Sequence, residues 1–121
     1  MDNLFITLFL VGIGGFLGAV ARYYISTTIS KSFPSILPYG TLTVNLLGSF
    51  ALGLLLGKGV SGSISLLVGT GFMGAFTTFS TFKIESLKLL YNGKINYWFI
   101  YQLATYILGI MLALIGFRLV R

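Results

Sequence analysis

The sequence predicts an all-α integral membrane protein with four transmembrane helices and a break in the third. Three observations support this fold class: the composition, the spacing of the charges and one stretch rich in glycine and threonine. Of the 121 residues, 56% are hydrophobic and 8% are charged, and the mean hydropathy is +0.98. Soluble domains carry about 25% charged residues. The chain lacks the polar surface of a soluble fold, and 1–121 is expected to form a single transmembrane domain.

The charged residues separate four uncharged runs, which are 3–21, 32–57, 59–82 and 95–117. A helix needs about 20 apolar residues to cross the hydrocarbon core. Each run therefore predicts one crossing. The expected helices are 4–26, 39–57, 62–91 and 95–118.

The first helix combines close-packing glycines with a charged end. Gly14 and Gly18 form a GxxxG step, which allows close helix contact in lipid. Arg22 follows beside Tyr23 and Tyr24. Two roles fit Arg22: a snorkelling anchor in an aromatic belt, or a cation at the vestibule of an anion path. A loop with two prolines, 31–38, then leads to the second helix.

The second helix carries a face of polar and small residues. Thr41 and Asn45 lie four residues apart, with Gly48 and Ser49 one turn further on. A carboxamide at membrane depth is costly unless it is hydrogen-bonded, and it can donate two N–H bonds to an anion. Asn45 is therefore either an interhelical hydrogen-bonding residue or a ligand. Gly53 and Gly57 form a second GxxxG step.

The third helix contains the stretch 69–82, with sequence GTGFMGAFTTFSTF. Glycine and threonine both weaken a helix, and a break at membrane depth frees backbone groups that lipid cannot satisfy. Broken helices in transporters mark ion or substrate sites. We expect the break at Gly74–Thr77, where freed carbonyl oxygens suit a hard monovalent cation.

The fourth helix carries a stripe of hydroxyls, because Tyr97, Tyr101 and Thr105 follow an i, i+4, i+8 spacing. The aromatic edges of Phe79 and Phe82, three residues apart, can meet a small anion. Hydrogen-bond donors could complete such a site, and the candidates are Asn45, Ser80, Thr81 and Tyr101.

Composition also excludes several classes of function. The chain contains no Cys and no His, and its two acids are Asp2 and Glu85, so we expect no enzyme. The formal net charge is +6, but the basic residues are scattered singly, which favours lipid headgroups over nucleic acid as their partner.

The charges give little preference for one orientation in the membrane. One side of the membrane receives Lys58, Arg118 and Arg121, and the other receives Arg22, Lys31, Lys88 and Lys94. Orientation follows the Lys and Arg excess, which is small here. The charge pattern therefore leaves open either a single orientation or insertion both ways with antiparallel pairing.

Three segments together closely resemble the Fluc (CrcB) fluoride channel family. They are GAVAR at 18–22, GTLTVNLLG at 40–48 and GFMGAFTTFSTF at 71–82. The resemblance covers essentially the whole chain, and it implies an antiparallel dual-topology homodimer that exports fluoride passively across a microbial cell membrane.

The resemblance also implies roles for individual residues. Asn45, Phe79 and Phe82 match the fluoride-lining amide and phenylalanines. The matching polar-track residues are Ser80, Thr81, Tyr101 and Thr105, with Thr41 on the polar face of the second helix. The Gly74 and Thr77 carbonyls of both subunits match the ligands of a central structural sodium ion.

A small dual-topology exporter of the multidrug-resistance type is the main alternative. That class resembles this chain in size but is built around an acidic residue in the first helix, which is absent here. A membrane anchor without transport activity would explain the GxxxG steps but not Asn45 or the polar cluster of the third helix.

Overall fold

The computed structural model describes residues 3–120 and is entirely helical in its regular structure over that range. Helix α1 is Leu4–Ser32 and α2 is Tyr39–Lys58. Helix α3 covers 62–76, and its middle part, Ser65–Met73, is π-helical. Helix α4 is Phe79–Tyr91, and α5 is Ile95–Leu119. The third span, Gly62–Tyr91, consists of α3 and α4 with a break between them. Asp2 and Arg121, which entered the charge analysis, lie outside the described residues.

Four spans in the described chain are long and apolar enough to cross a membrane, as predicted. Only 11–28% of the residues in their most apolar windows are buried within the chain. Their outer surfaces are therefore apolar, the inverse of a soluble protein, and they suit contact with lipid or with another copy. The predicted fold class of four transmembrane helices is confirmed.

Helix α1 is longer than predicted and ends at Ser32 instead of near Ser26. Residues 27–32 contain neither glycine nor proline, so nothing in them stops the helix. The helix ends at Phe33, which leaves the helical region with φ −130° and ψ 68°. Because Phe33 precedes Pro34, the proline ring disfavours the α conformation at that residue.

Both predicted GxxxG steps are packing surfaces. An added methyl group at Gly14 would overlap the Leu67 carbonyl oxygen of α3, and one at Gly18 would overlap the Phe72 carbonyl oxygen. At Gly53 it would overlap the Ala113 carbonyl oxygen of α5. These glycines allow the backbones of α1 and α3, and of α2 and α5, to approach closely.

The buried interior consists of two clusters on either side of the break. One contains Val44, Met73 and Phe76, and the other contains Phe82, Leu89 and Tyr101. The first joins α2 to α3, and the second joins α4 to α5. The break in the third span therefore lies between two packed regions.

The break lies at Thr77 and Thr78, slightly later than the predicted Gly74–Thr77. Gly74 is still helical, with φ −61° and ψ −36°. Thr77 and Thr78 are extended, with ψ values of 156° and 117°. Branching at Cβ favours extended backbone, and Thr78 gains two hydrogen bonds to Asn45 in that conformation, so the break falls on the threonines.

Candidate functional site

Asn45 of α2 holds the extended backbone at the break. Its Nδ2 donates to the Thr78 carbonyl oxygen at 2.9 Å, and its Oδ1 accepts from the Thr78 N–H at 2.8 Å. The side chain thus satisfies both backbone groups of one residue, which would be costly to leave unpaired in a membrane. The structural interpretation of Asn45 as an interhelical hydrogen-bonding residue is confirmed, and one amide hydrogen remains for another partner.

Thr78 also begins helix α4. Its Oγ1 accepts from the Thr81 N–H at 3.3 Å and donates to Thr81 Oγ1 at 3.1 Å. A threonine hydroxyl at this position is a favourable N-cap. The N–H groups of the first turn of α4, at the break, carry partial positive charge.

The Gly74 and Thr77 carbonyl oxygens are among those that lose their usual helical donors at the break. In a continuous helix Thr78 N–H would bond the Gly74 carbonyl, and Thr81 N–H would bond the Thr77 carbonyl. Here Thr78 N–H donates to Asn45, and Thr81 N–H donates to the Thr78 hydroxyl. The usual helical donors of both carbonyls predicted to bind a cation are therefore used elsewhere.

A cavity of about 260 Å³ lies beside the break. Helix α2, the break, the start of α4 and the middle of α5 all contribute to its wall. Its lining residues are Asn45, Gly48, Ser49, Leu52, Thr77, Thr78, Phe79, Phe82, Thr105 and Tyr106. None of these side chains is charged, and the polar side-chain groups in the wall are the Asn45 amide and hydroxyls.

The two phenylalanines of the cavity differ in their exposure. Their ring centroids are 6.1 Å apart and their planes are inclined by 47°. Phe82 is buried, whereas Phe79 is 64% exposed. Tyr106 meets Phe82 edge-on, with centroids 5.8 Å apart. Phe79 can therefore present its ring to the cavity and also to a neighbouring molecule.

Thr105 supplies a hydroxyl without a partner. Its Oγ1 is buried and makes no hydrogen bond in the described part of the chain. It lies in the cavity wall with Asn45, Phe79 and Phe82. A buried hydroxyl that lacks a partner costs free energy, and a ligand that accepts a hydrogen bond would recover it.

Tyr101 and Thr41 form a second polar group behind Phe82. Tyr101 is 1% exposed, and its ring lies 4.9 Å from that of Phe82. Its hydroxyl donates to Glu85 Oε1 at 3.1 Å, and the Thr41 hydroxyl approaches the same phenol. Both predicted residues lie near the cavity wall but do not line it.

Three other predicted residues lie away from the cavity lining. Ser80 and Thr81 are exposed on the first turn of α4, and Arg22 is half-buried on α1. The structure therefore brings together Asn45, Thr77, Phe79, Phe82 and Thr105, and it places Ser80, Thr81 and Arg22 outside that wall.

Sequence reasoning missed Tyr106 as a cavity residue. The stripe at i, i+4, i+8 assumed an α-helix, but Ala104–Leu108 is π-helical. A π-turn brings i and i+5 together, so both Tyr101 and Tyr106 contact Phe82. No simple sequence signal marks such a turn.

Sequence reasoning also gave no site role to Thr78 and Ser49, which both line the cavity. Threonine is a favoured N-cap residue, so Thr78 was a usable sequence signal for the start of a helix at Phe79. Gly109 follows Thr105 by one turn and offers no hydroxyl, but a Cβ there would lie 3.4 Å from Ser49 Oγ. Ser49 of α2 therefore places a hydroxyl where α5 has none.

These features define a class: a small multi-pass membrane protein with a broken helix beside a neutral, hydrogen-bonding cavity, as in ion channels and transporters. The family model described as "CrcB-like protein, Camphor Resistance (CrcB)" matches residues 9–117. The chain belongs to this family, whose members are not enzymes.

Relatives named fluoride-specific ion channel FluC cover nearly all of the chain. FluC 2 of Bacillus cereus (strain ATCC 10987 / NRS 248) is 47% identical over 110 residues, which are 91% of this chain and 93% of the relative. FluC 1 of Geobacillus kaustophilus is 50% identical over 111 residues, 92% and 95% of the two chains. FluC of Campylobacter lari is 44% identical over 115 residues, 92% and 94% of the two chains.

Proposed function

We propose that this protein is a fluoride-selective channel that exports fluoride passively through the cell membrane and so confers fluoride resistance. The observation that carries the proposal is the unpartnered Thr105 hydroxyl in a neutral cavity at the start of α4. The names of the relatives point to the same ion.

The chemistry of the cavity favours an anion over a cation. Its wall contains no carboxylate, and the positive end of the α4 dipole lies at the break. Asn45 has one free amide hydrogen, and Thr105 has a free hydroxyl. Aromatic ring edges carry partial positive charge, so Phe79 and Phe82 add weak donors.

Small size is the basis for selecting fluoride. Fluoride concentrates its charge on a small ion and accepts short hydrogen bonds from hydroxyl and amide groups. Fluoride also loses more hydration free energy than chloride when it leaves water, so the cavity must return that free energy through short hydrogen bonds. Asn45 and Thr105 line one cavity with the two rings and would offer such donors, whereas chloride, which is larger, would accept weaker hydrogen bonds from them.

Anion efflux from liposomes containing the purified protein tests this function. We expect rapid fluoride release with no measurable chloride release, and loss of fluoride release in Phe79→Ile. Liposomes without protein supply the background rate. Equal rates for the two anions, or no fluoride release, would contradict the proposal.

We further propose that the Gly74 and Thr77 carbonyls of two copies bind a structural sodium ion. The residues fit such an ion, because oxygen ligands suit hard cations and the helical donors of both carbonyls are diverted at the break. Sodium bound there would join the two subunits. Exchanging sodium for N-methylglucamine should lower the dimer fraction in detergent, while an unchanged fraction would exclude this role.

The partner in this proposal is a second copy in the opposite orientation. Four residues beside the break and its polar cavity are exposed in the single chain, namely Gly74, Phe79, Ser80 and Thr81. Exposed polar groups at membrane depth need a protein neighbour. An inverted copy would cover them and fits the small Lys and Arg bias.

Single cysteines can test dual topology cleanly, because the natural chain has none. Ser35 and Ser61 lie in loops at opposite ends of α2. With dual topology, an impermeant maleimide added outside cells should label about half of either single-cysteine variant, and lysis should expose the rest. Complete labelling of one variant and none of the other would show a single orientation.

The alternative of a small multidrug exporter has no support in the cavity. The wall contains no acidic residue to bind cationic drugs or exchange protons, and the only acid in the described chain, Glu85, accepts from Tyr101. Family membership agrees with this conclusion.

A further inference from the structure

Lys83 is a basic residue that the proposed pore does not yet use. It lies on α4, immediately after Phe82 and one helical turn beyond Phe79. Its side chain is exposed, and its Nζ lies over the face of the Phe79 ring, 5.7 Å from the centroid. This distance is within the range of a cation–π interaction.

The position of the ammonium group differs from that of an ordinary interfacial anchor. Phe79 lines the cavity, whereas Lys83 does not. The other charged groups of α4 are Glu85, which binds Tyr101, and Lys88, a further turn along the helix. Lys83 is therefore the charge on this helix that contacts a cavity residue.

A cation over the face of an aromatic ring acts on the ring's edge. It draws electron density toward that face and makes the edge hydrogens more positive. It also raises the electrostatic potential near the cavity, which increases the local concentration of anions.

We infer that Lys83 is a positioning residue for fluoride: through the Phe79 ring and its own field, it strengthens anion entry into the cavity. This inference rests on the proposed fluoride channel. It assigns to Lys83 an effect on apparent affinity at low fluoride, not a role as a direct ligand.

A charge series at position 83 provides the test. Fluoride efflux should be measured over a range of fluoride concentrations for the natural protein, Lys83→Arg, Lys83→Gln and Lys83→Glu. We expect arginine to preserve the rate and glutamine to lower it about ten-fold at low fluoride, the low end of electrostatic steering. Glutamate should lower it further.

Two readouts separate this role from a structural one. The glutamine variant should need more fluoride for half-maximal efflux but approach the natural maximal rate. Its deficit should shrink as an impermeant salt is raised from about 10 mM to 1 M, because the Debye length falls from about 30 Å to 3 Å.

Lys31→Gln is the matched control. Lys31 is exposed in the last turn of α1, and its substitution removes one positive charge on the side of the membrane to which Lys83 would belong. We expect it to leave efflux unchanged. Equal half-maximal concentrations in the natural protein and Lys83→Gln would overturn the inference and leave the proposed function intact. Absence of fluoride efflux from the natural protein would instead overturn the proposed function.

Discussion

Replacing Asn45 by leucine removes the two hydrogen bonds that hold the extended backbone of Thr78. Thr78 is 8% exposed, so its N–H and carbonyl would remain without water. The helix offers no substitute partner, because the break has already separated α3 from α4. Asn45→Leu should therefore remove the two hydrogen bonds that join α2 to the third span and weaken the packing of these helices.

The size of the effect follows from these two groups. Each buried backbone group left unpaired costs about 1–3 kcal/mol, and hydrogen bonds between membrane helices lie toward the lower end of that range. Asn45→Leu should therefore destabilise the fold by about 2–4 kcal/mol. Asn45→Asp keeps the acceptor for the Thr78 N–H, but it sets a carboxylate oxygen against the Thr78 carbonyl and buries a charge, so it should destabilise the fold at least as much as Asn45→Leu.

The stabilities of the natural protein and of these variants can be compared by unfolding them in mixed micelles with increasing dodecyl sulfate and following the loss of helix by circular dichroism. Thr78→Ala is the matched control, because it removes the N-cap but keeps both backbone bonds to Asn45, at about 1 kcal/mol. Asp should also abolish fluoride efflux, since a carboxylate in the cavity repels an anion. An Asn45→Leu protein as stable as the natural one would refute the argument that Asn45 holds the break.

Two further predictions concern the cavity and the helix contacts. Thr105→Val, which removes the unpartnered hydroxyl at nearly constant volume, should lower fluoride efflux about ten-fold or more without loss of stability, and Thr105→Ser should retain efflux. Equal efflux from the valine variant would remove Thr105 from the ion path. Gly53→Ala should cost about 1–3 kcal/mol in the same unfolding assay, because its methyl group meets the Ala113 carbonyl, whereas Gly12→Ala, with open space around it, should be neutral. Similar losses at both positions would show that close helix packing is not the cause.

Much of the fold is already encoded in local properties of the sequence. Hydropathy and charge spacing place four crossings, because a lipid environment requires long apolar helices and displaces charges to their ends. The GxxxG steps identify close contacts because small residues, glycine above all, allow two helix backbones to approach closely. The composition of 69–82 also predicts a break in the third span, although only to within a few residues.

Residue roles at the break depend on long-range contacts, which the sequence alone leaves open. The position of Asn45 on α2 was compatible with either an interhelical hydrogen bond or a ligand role. Its partner Thr78 is 33 residues further along the chain, so no local pattern predicts their pairing. The π-turn that brings Tyr106 onto Phe82 and the approach of Ser49 to Gly109 are likewise invisible in periodicity.

The sequence by itself determined a four-helix membrane protein, the location of its helix break within a few residues and the chemical types of its polar groups. Tertiary structure alone decided which of those groups share a wall: Asn45, Phe79, Phe82 and Thr105 meet in one cavity, whereas Ser80 and Thr81 do not line it. The physical reason is that membrane insertion depends on local hydrophobicity, while a binding site depends on how separate helices pack and satisfy each other's backbone.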